Sequence, residues 1–124
     1  MIGEIYTSVM PYYDTVAKSN RFKGRPVLII EDARNDDYTV LPISKVSKKQ
    51  YLDSVYDVEI KQVDYPNLKL TCDSYIRVHK QTTVHKTMLR CKISDLKYEY
   101  EDLYLSVLEL LEQRNKELIN GALC

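Results

Sequence analysis

The chain has 124 residues, 44% hydrophobic and 29% charged, a balance that excludes disorder and suits one domain, residues 1–124, around one core. Its 18 Lys and Arg offset its 18 Asp and Glu, so total charge does not mark a nucleic-acid binder, and any anion-binding surface has to come from local clustering. No apolar run approaches a membrane span, and the opening MIGEIYTSVM lacks a basic stretch followed by an apolar signal core, so a cytoplasmic protein with no membrane partner is expected.

The first element in chain order is EIYTSVM, which reads as a short strand. PYYDTVAKSNRFKG, residues 11–24, follows with Pro, Asn, Gly and several charges, and reads as a loop. RPVLIIED and YTVLPIS are β-branched runs separated by ARNDD, the pattern of a strand pair joined by a hairpin turn. SVYDVEIKQV alternates Tyr56, Val58 and Ile60 with charged neighbours. DSYIRVHKQTTV does the same with Ile76 and Val78, so both are expected as half-buried strands. Between them DYPNLKLTC offers a Pro-Asn turn and then Leu68 and Leu70 on one face, suggesting another short strand.

From about Leu96 the apolar period changes from two to that of a helix, through Tyr100, Leu103, Tyr104, Val107, Leu108, Leu111 and Leu118. Ser94 or Asp95 can cap this helix, Glu99, Glu101 and Asp102 suit its positive end, and Gly121 allows it to stop. The expected fold is mainly β (α+β), a strongly curved sheet or small barrel covered by one C-terminal helix. Cys72, Cys91 and Cys124 are odd in number and lack CxxC spacing, so they are expected as reduced thiols, two of them in the core.

Arg25 lies between Gly24 and Pro26 where the expected loop meets the sheet. There its guanidinium would be a positioned fork of donors, matched to the paired oxygens of a phosphodiester or carboxylate. From composition alone, a surface arginine in a salt bridge is the preferred reading. His79 and His85 are the only histidines, and each can carry protons near neutral pH or simply be solvated at a polar edge. Lys18, Arg21 and Lys23 can steer a polyanion, and Tyr12 and Tyr13 can stack on bases or pack within the loop.

GEIY at residues 3–6, KGRPVLII at 23–30, TVLPIS at 39–44 and DSYIRVHKQTTVHKTML at 73–89, followed by a terminal helix, resemble in order and spacing the MazF/PemK toxin family. The resemblance implies a small SH3-like barrel of the MazF/CcdB type with a long C-terminal helix, working as a homodimer. It implies an endoribonuclease, the toxin of a type II toxin-antitoxin system, that cuts single-stranded RNA without metal or other cofactor and is bound by a cognate antitoxin. It assigns catalysis to Arg25 and to Ser44, which stands where threonine is more usual. In the family's Asp/Glu-Gln-Ile-Arg-Thr-Ile/Val-Asp-Lys segment, this chain places Thr82 for the arginine and His85 for the aspartate, and retains Thr83 and Lys86. Lys80, Thr83 and Lys86 are therefore expected to contact RNA. His79 and His85 are candidates for proton transfer, because an arginine is almost never deprotonated near neutrality. An inactive RNA-binding or protein-binding module of the same fold, and a purely structural interaction module, are the other two readings.

Overall fold

The computed structural model describes the backbone of residues 1–124 and every side chain except those of residues 10–13 and 23. Strands β1 (Glu4–Asp14) and β2 (Ser19–Arg34) pair antiparallel in unbroken register, from Ile5 opposite Leu28 to Asp14 opposite Ser19. Most of the segment read as a loop is thus the outer half of a long hairpin. Its turn is built by Asp14, whose carboxylate accepts the N–H groups of Val16 (2.9 Å) and Ala17 (3.1 Å), while Lys18 takes a left-handed conformation at φ 51°. A backbone ladder needs no apolar alternation, so this arm carries no hydrophobic signature.

The expected second hairpin forms: β2 passes to β3 (Asp37–Ser44) through Asn35 and Asp36, at φ 52° and 68°, with Arg34 opposite Asp37. Two successive left-handed residues match the twist of the flanking strands, which is why Asn-Asp suits this turn. The remaining strands are β4 (Asp57–Ile60), β5 (Ser74–Arg77), β6 (Thr82–His85) and β7 (Leu89–Asp95). They add to an antiparallel sheet in the order β4-β5-β3-β2-β1-β7, with β6 also on β3. The sheet is not closed, so the architecture is an open, antiparallel α+β fold with a long C-terminal helix.

β5 and β6 share one edge of β3. Ile43 and Ser44 pair with Ile76 and Tyr75, whereas Asp37 to Val40 pair with His85 to Thr82. Pro42 has no N–H to offer and falls in the gap between these pairings. Across that gap the chain makes a 3-10 turn, Val78–Lys80, which interrupts the strand expected over DSYIRVHKQTTV. A second 3-10 turn, Pro66–Leu68, replaces the strand expected around Leu68 and Leu70. Its proline suits the start of a turn, and Leu68 is fully buried as a plug in the core.

The terminal helix comes in two pieces, α1 (Leu96–Glu99) and α2 (Glu101–Leu123). Asp95 is the cap, accepting the Tyr98 N–H at 3.0 Å. At Tyr100 the backbone leaves helical geometry, and its ring meets Tyr65 edge-on at 5.0 Å between centroids. Gly121 does not end α2, which continues to Leu123.

Apolar residues pack on both faces of the central strands. Leu28, Leu41, Ile43 and Ile76 join Tyr104 and Val107 of α2 in the main core. Val27, Ile29, Val40 and Val84 form a smaller one on the opposite face. Gly3, at φ 85°, lets the chain pass so close to α1 that an added Cβ would stand 2.4 Å from Lys97 Cβ. The cysteines correct the sequence expectation: Cys91 and Cys124 are exposed, Cys72 is only partly buried, and all three are free thiols.

Candidate active site

Arg25 lies within a strand, not at a loop junction. β2 pairs with β1 throughout this region, Gly24 opposite Val9 and Arg25 opposite Ser8, and Gly24 adopts no left-handed backbone. Its β3 side differs, because pairing there stops at Val27 opposite Pro42. Pro26 has no N–H to continue that ladder, so beyond it β2 and β3 part at the mouth of a cleft. Extending the Val27–Pro42 register by two places sets Arg25 opposite Ser44, with both side chains on the face of the smaller core. There Arg25 donates an Nη1–H to Ser44 Oγ at 3.0 Å.

That contact has two consequences. The guanidinium is held on one side, and among the described residues its other N–H groups have no side-chain acceptor. Ser44 spends an acceptor lone pair, so its own O–H remains free to donate, as threonine's would. Among the described residues the partner of Arg25 is a hydroxyl rather than a carboxylate, so its charge is not neutralised by a neighbour.

The cleft they open has a volume of about 640 Å3. Besides Arg25 and Ser44 it is lined by Lys45, Lys48, Tyr51, Arg77, His79 and Lys80. No Asp or Glu is among the described residues that line it. Local clustering thus supplies the cationic surface that the balanced total charge does not reveal. The 3-10 turn at Val78–Lys80 brings the His79 and Lys80 side chains to the cleft wall.

Behind the wall sits Asp57, the first residue of β4, with only 1% of its side chain exposed. Arg77 grips it with two donors, Nε to Oδ1 at 2.9 Å and Nη2 to Oδ2 at 3.2 Å, and also donates to the Tyr51 carbonyl at 3.0 Å. One arginine therefore ties the Lys49–Tyr51 turn, β4 and β5 into a fixed wall. Nearby, the N–H groups of Tyr56 and Val55 hold the Asp53 carboxyl below its usual range, with the charges of His79 and Arg114 adding to the effect.

Residues 2–111 match the model of the PemK-like, MazF-like toxins of type II toxin-antitoxin systems. The chain belongs to this toxin family. No curated protein sequence matches it. Family membership implies an antitoxin as partner. No helix, among the described residues, is long and apolar enough to cross a membrane, and no group of three or more His, Cys, Asp or Glu is placed to hold a metal.

Of the residues proposed from sequence, Arg25, Ser44, His79 and Lys80 meet in this toxin cleft. His85 does not join them: it pairs with Asp37 at the far end of β3, about 20 Å along the strand from Ser44. Its Nδ1 lies 2.8 Å from Thr87 Oγ1 and accepts the Thr87 N–H, local bonds that fix the next turn. Thr83 is paired with Thr39 on the same distant strand, and Lys86 forms an exposed ion pair with Asp36 at 3.3 Å. Lys18 and Arg21 lie on the β1–β2 arm, where Arg21 faces Asp14 at 3.5 Å. The side chains of Tyr12, Tyr13 and Lys23 lie outside the described residues.

Sequence reasoning missed Lys45, Lys48, Tyr51, Asp57 and Arg77. The run SKVSKKQY directly after Ile43 was a usable signal, with three lysines and an aromatic within eight residues of Ser44. Asp57 and Arg77 looked like ordinary solvent-side charges of alternating strands. Only the β4–β5 register, which sets them opposite each other, shows that they form a buried pair.

Proposed function

We propose that this toxin-family chain is an endoribonuclease that cuts single-stranded RNA in the Arg25–Ser44–His79 cleft without a metal ion. The observation that carries this reading is the 3.0 Å bond between a hydroxyl and a guanidinium that has no carboxylate partner among the described residues, in a cleft also lined by three lysines and an imidazole. A phosphodiester needs that combination. Cationic side chains attract the backbone, a fork of N–H groups meets its oxygens, and a titratable group moves a proton.

In this mechanism neutral His79 takes the proton of a ribose 2'-hydroxyl as its oxygen attacks the adjacent phosphorus. The P–O5' bond breaks, giving a 2',3'-cyclic phosphate and a 5' oxygen that takes a proton from solvent. Charge growing on the five-coordinate phosphorus centre is met by the free N–H groups of Arg25 and by the Ser44 O–H. Lys45, Lys48 and Lys80 hold the flanking backbone, and the exposed Tyr51 ring offers a face on which a base can stack. The same reading has the toxin acting as a cytoplasmic homodimer, with the antitoxin competing with RNA for the cleft.

The test is cleavage of a short unstructured RNA in excess chelator, followed by analysis of the ends. Products with cyclic phosphate and 5'-hydroxyl termini, lost when the ribose at the cut is 2'-deoxy, support the mechanism. Tight binding without any cleavage would select an RNA-binding module instead.

A further inference from the structure

Asp57 is not explained by the cleavage chemistry alone. A carboxylate with 1% exposure is stable only when paired and hydrogen-bonded, and here Arg77 supplies both needs. Its Oδ2 also accepts the backbone N–H of Asp53 at 2.8 Å. Yet Oδ1 stands a further 3.6 Å from Nδ1 of His79, a ring 20% exposed at the cleft wall. That nitrogen is buried and, among the described residues, has no hydrogen-bond partner. A buried ring nitrogen beside a carboxylate is placed to donate to it, and closing the gap by under about 1 Å completes such a bond.

Resting on the ribonuclease reading of the cleft, we propose that Asp57 is the positioning residue for His79. It holds the proton on Nδ1, so that the lone pair of Nε2 is what the ring offers to RNA. When the ring takes up a second proton, Asp57 compensates the imidazolium. Arg77 sets the strength of this effect because it claims both oxygens of the same carboxylate. The charges around His79 are Asp57 and Asp53 from β4 and the loop before it, and Arg77 and Lys80 from its own segment. Arg25, Lys45 and Lys48 belong to the shared cleft, and Arg114 of α2 acts on Asp53. Most of these groups are cations, and Asp57, 3.6 Å from the ring, is the anion beside it.

The experiment uses the full chain with His85→Ala, which leaves His79 as the single histidine, and reads its ring nitrogens by long-range proton–nitrogen NMR across pH. The neutral ring is expected as the Nδ1–H tautomer. Asp57→Asn should abolish that preference and lower the His79 pKa by about one unit or more. Arg77→Met frees Asp57 for His79 and should raise it by a similar amount. The two variants act in opposite directions, which general loosening of the wall would not produce. If Asp57→Asn fails to fold, the upward shift in Arg77→Met carries the test. An Nε2–H tautomer, or a titration that neither variant moves, overturns the proposal. In an active enzyme the acid limb of the cleavage rate should follow these shifts. If the tautomer and shifts appear but RNA is never cut, the positioning of His79 stands and the ribonuclease reading falls.

Discussion

Replacing Arg25 by lysine keeps the charge and removes the fork. Among the described residues Arg25 gives one of its five N–H groups to Ser44 at 3.0 Å, and in the proposed mechanism the rest meet the phosphate, whereas a lysine is a point charge on a flexible stem. Loss of one preorganised donor to a developing oxyanion costs about 2.7–4 kcal/mol in the transition state. Because the retained charge offsets part of this, Arg25→Lys should lower kcat by about 10²-fold, with KM little changed since long-range attraction survives. Folding stability should fall by only about 0.5–1.5 kcal/mol, the value of one partly exposed hydrogen bond. Single-turnover cleavage of a fluorescent RNA in chelator gives the rate, polarisation gives the affinity, and urea unfolding gives the stability. A rate within about 3-fold of the parent would mean that the fork is not used. A stability loss above about 3 kcal/mol would show that Arg25 is a structural residue, since that is the cost of breaking a buried pair.

Ser44→Ala should cut kcat by up to about 10²-fold while leaving RNA affinity near that of the parent, and a larger change in affinity than in rate would refute its role in the transition state. His79→Ala should lose about 10²–10⁴-fold in rate and the pH limb with it, whereas His85→Ala, remote from the cleft, should cut RNA at the parent rate; equal losses in both would contradict the placement of His79. Glu4 is held below its usual pKa first by its hydrogen bond with Lys92, so its contribution to stability is present above the ordinary carboxylate range and lost as pH falls through the lowered value. Melting temperature against pH should therefore fall less steeply on the acid side in Lys92→Gln, and parallel curves for the two proteins would refute the coupling. Ile76→Ala, at a fully buried position paired with Ile43 and Val58, should cost about 2–5 kcal/mol by urea unfolding, and a loss below about 1 kcal/mol would mean that this core is not the one stabilising the β3–β5 wall.

Local chemistry made parts of this fold readable. The Asn35-Asp36 turn is specified by two residues that tolerate left-handed backbone, and the change of apolar period after Leu96 follows from one helix covering one face of the sheet. The outer hairpin was not readable, because residues 11–14 and 19–24 pair through backbone groups and carry side chains typical of loops. Arg25 and Ser44 were identifiable only through the family pattern, since their approach depends on the β2–β3 register and on Pro26 ending that ladder. His79 reaches the cleft, and His85 does not, because the chain turns between β5 and β6 while both strands stay on β3. The arrangement is set by two pairings distant in sequence, and six residues of spacing between the histidines do not reveal it.

The most direct test compares the parent chain with Arg25→Ala on an unstructured RNA in excess chelator, with product ends resolved by mass. Cleavage by the parent to 2',3'-cyclic phosphate and 5'-hydroxyl ends, falling by at least about 10³-fold in the variant, is the predicted result. Intact RNA with the folded parent, or undiminished cutting by a folded Arg25→Ala, would contradict it.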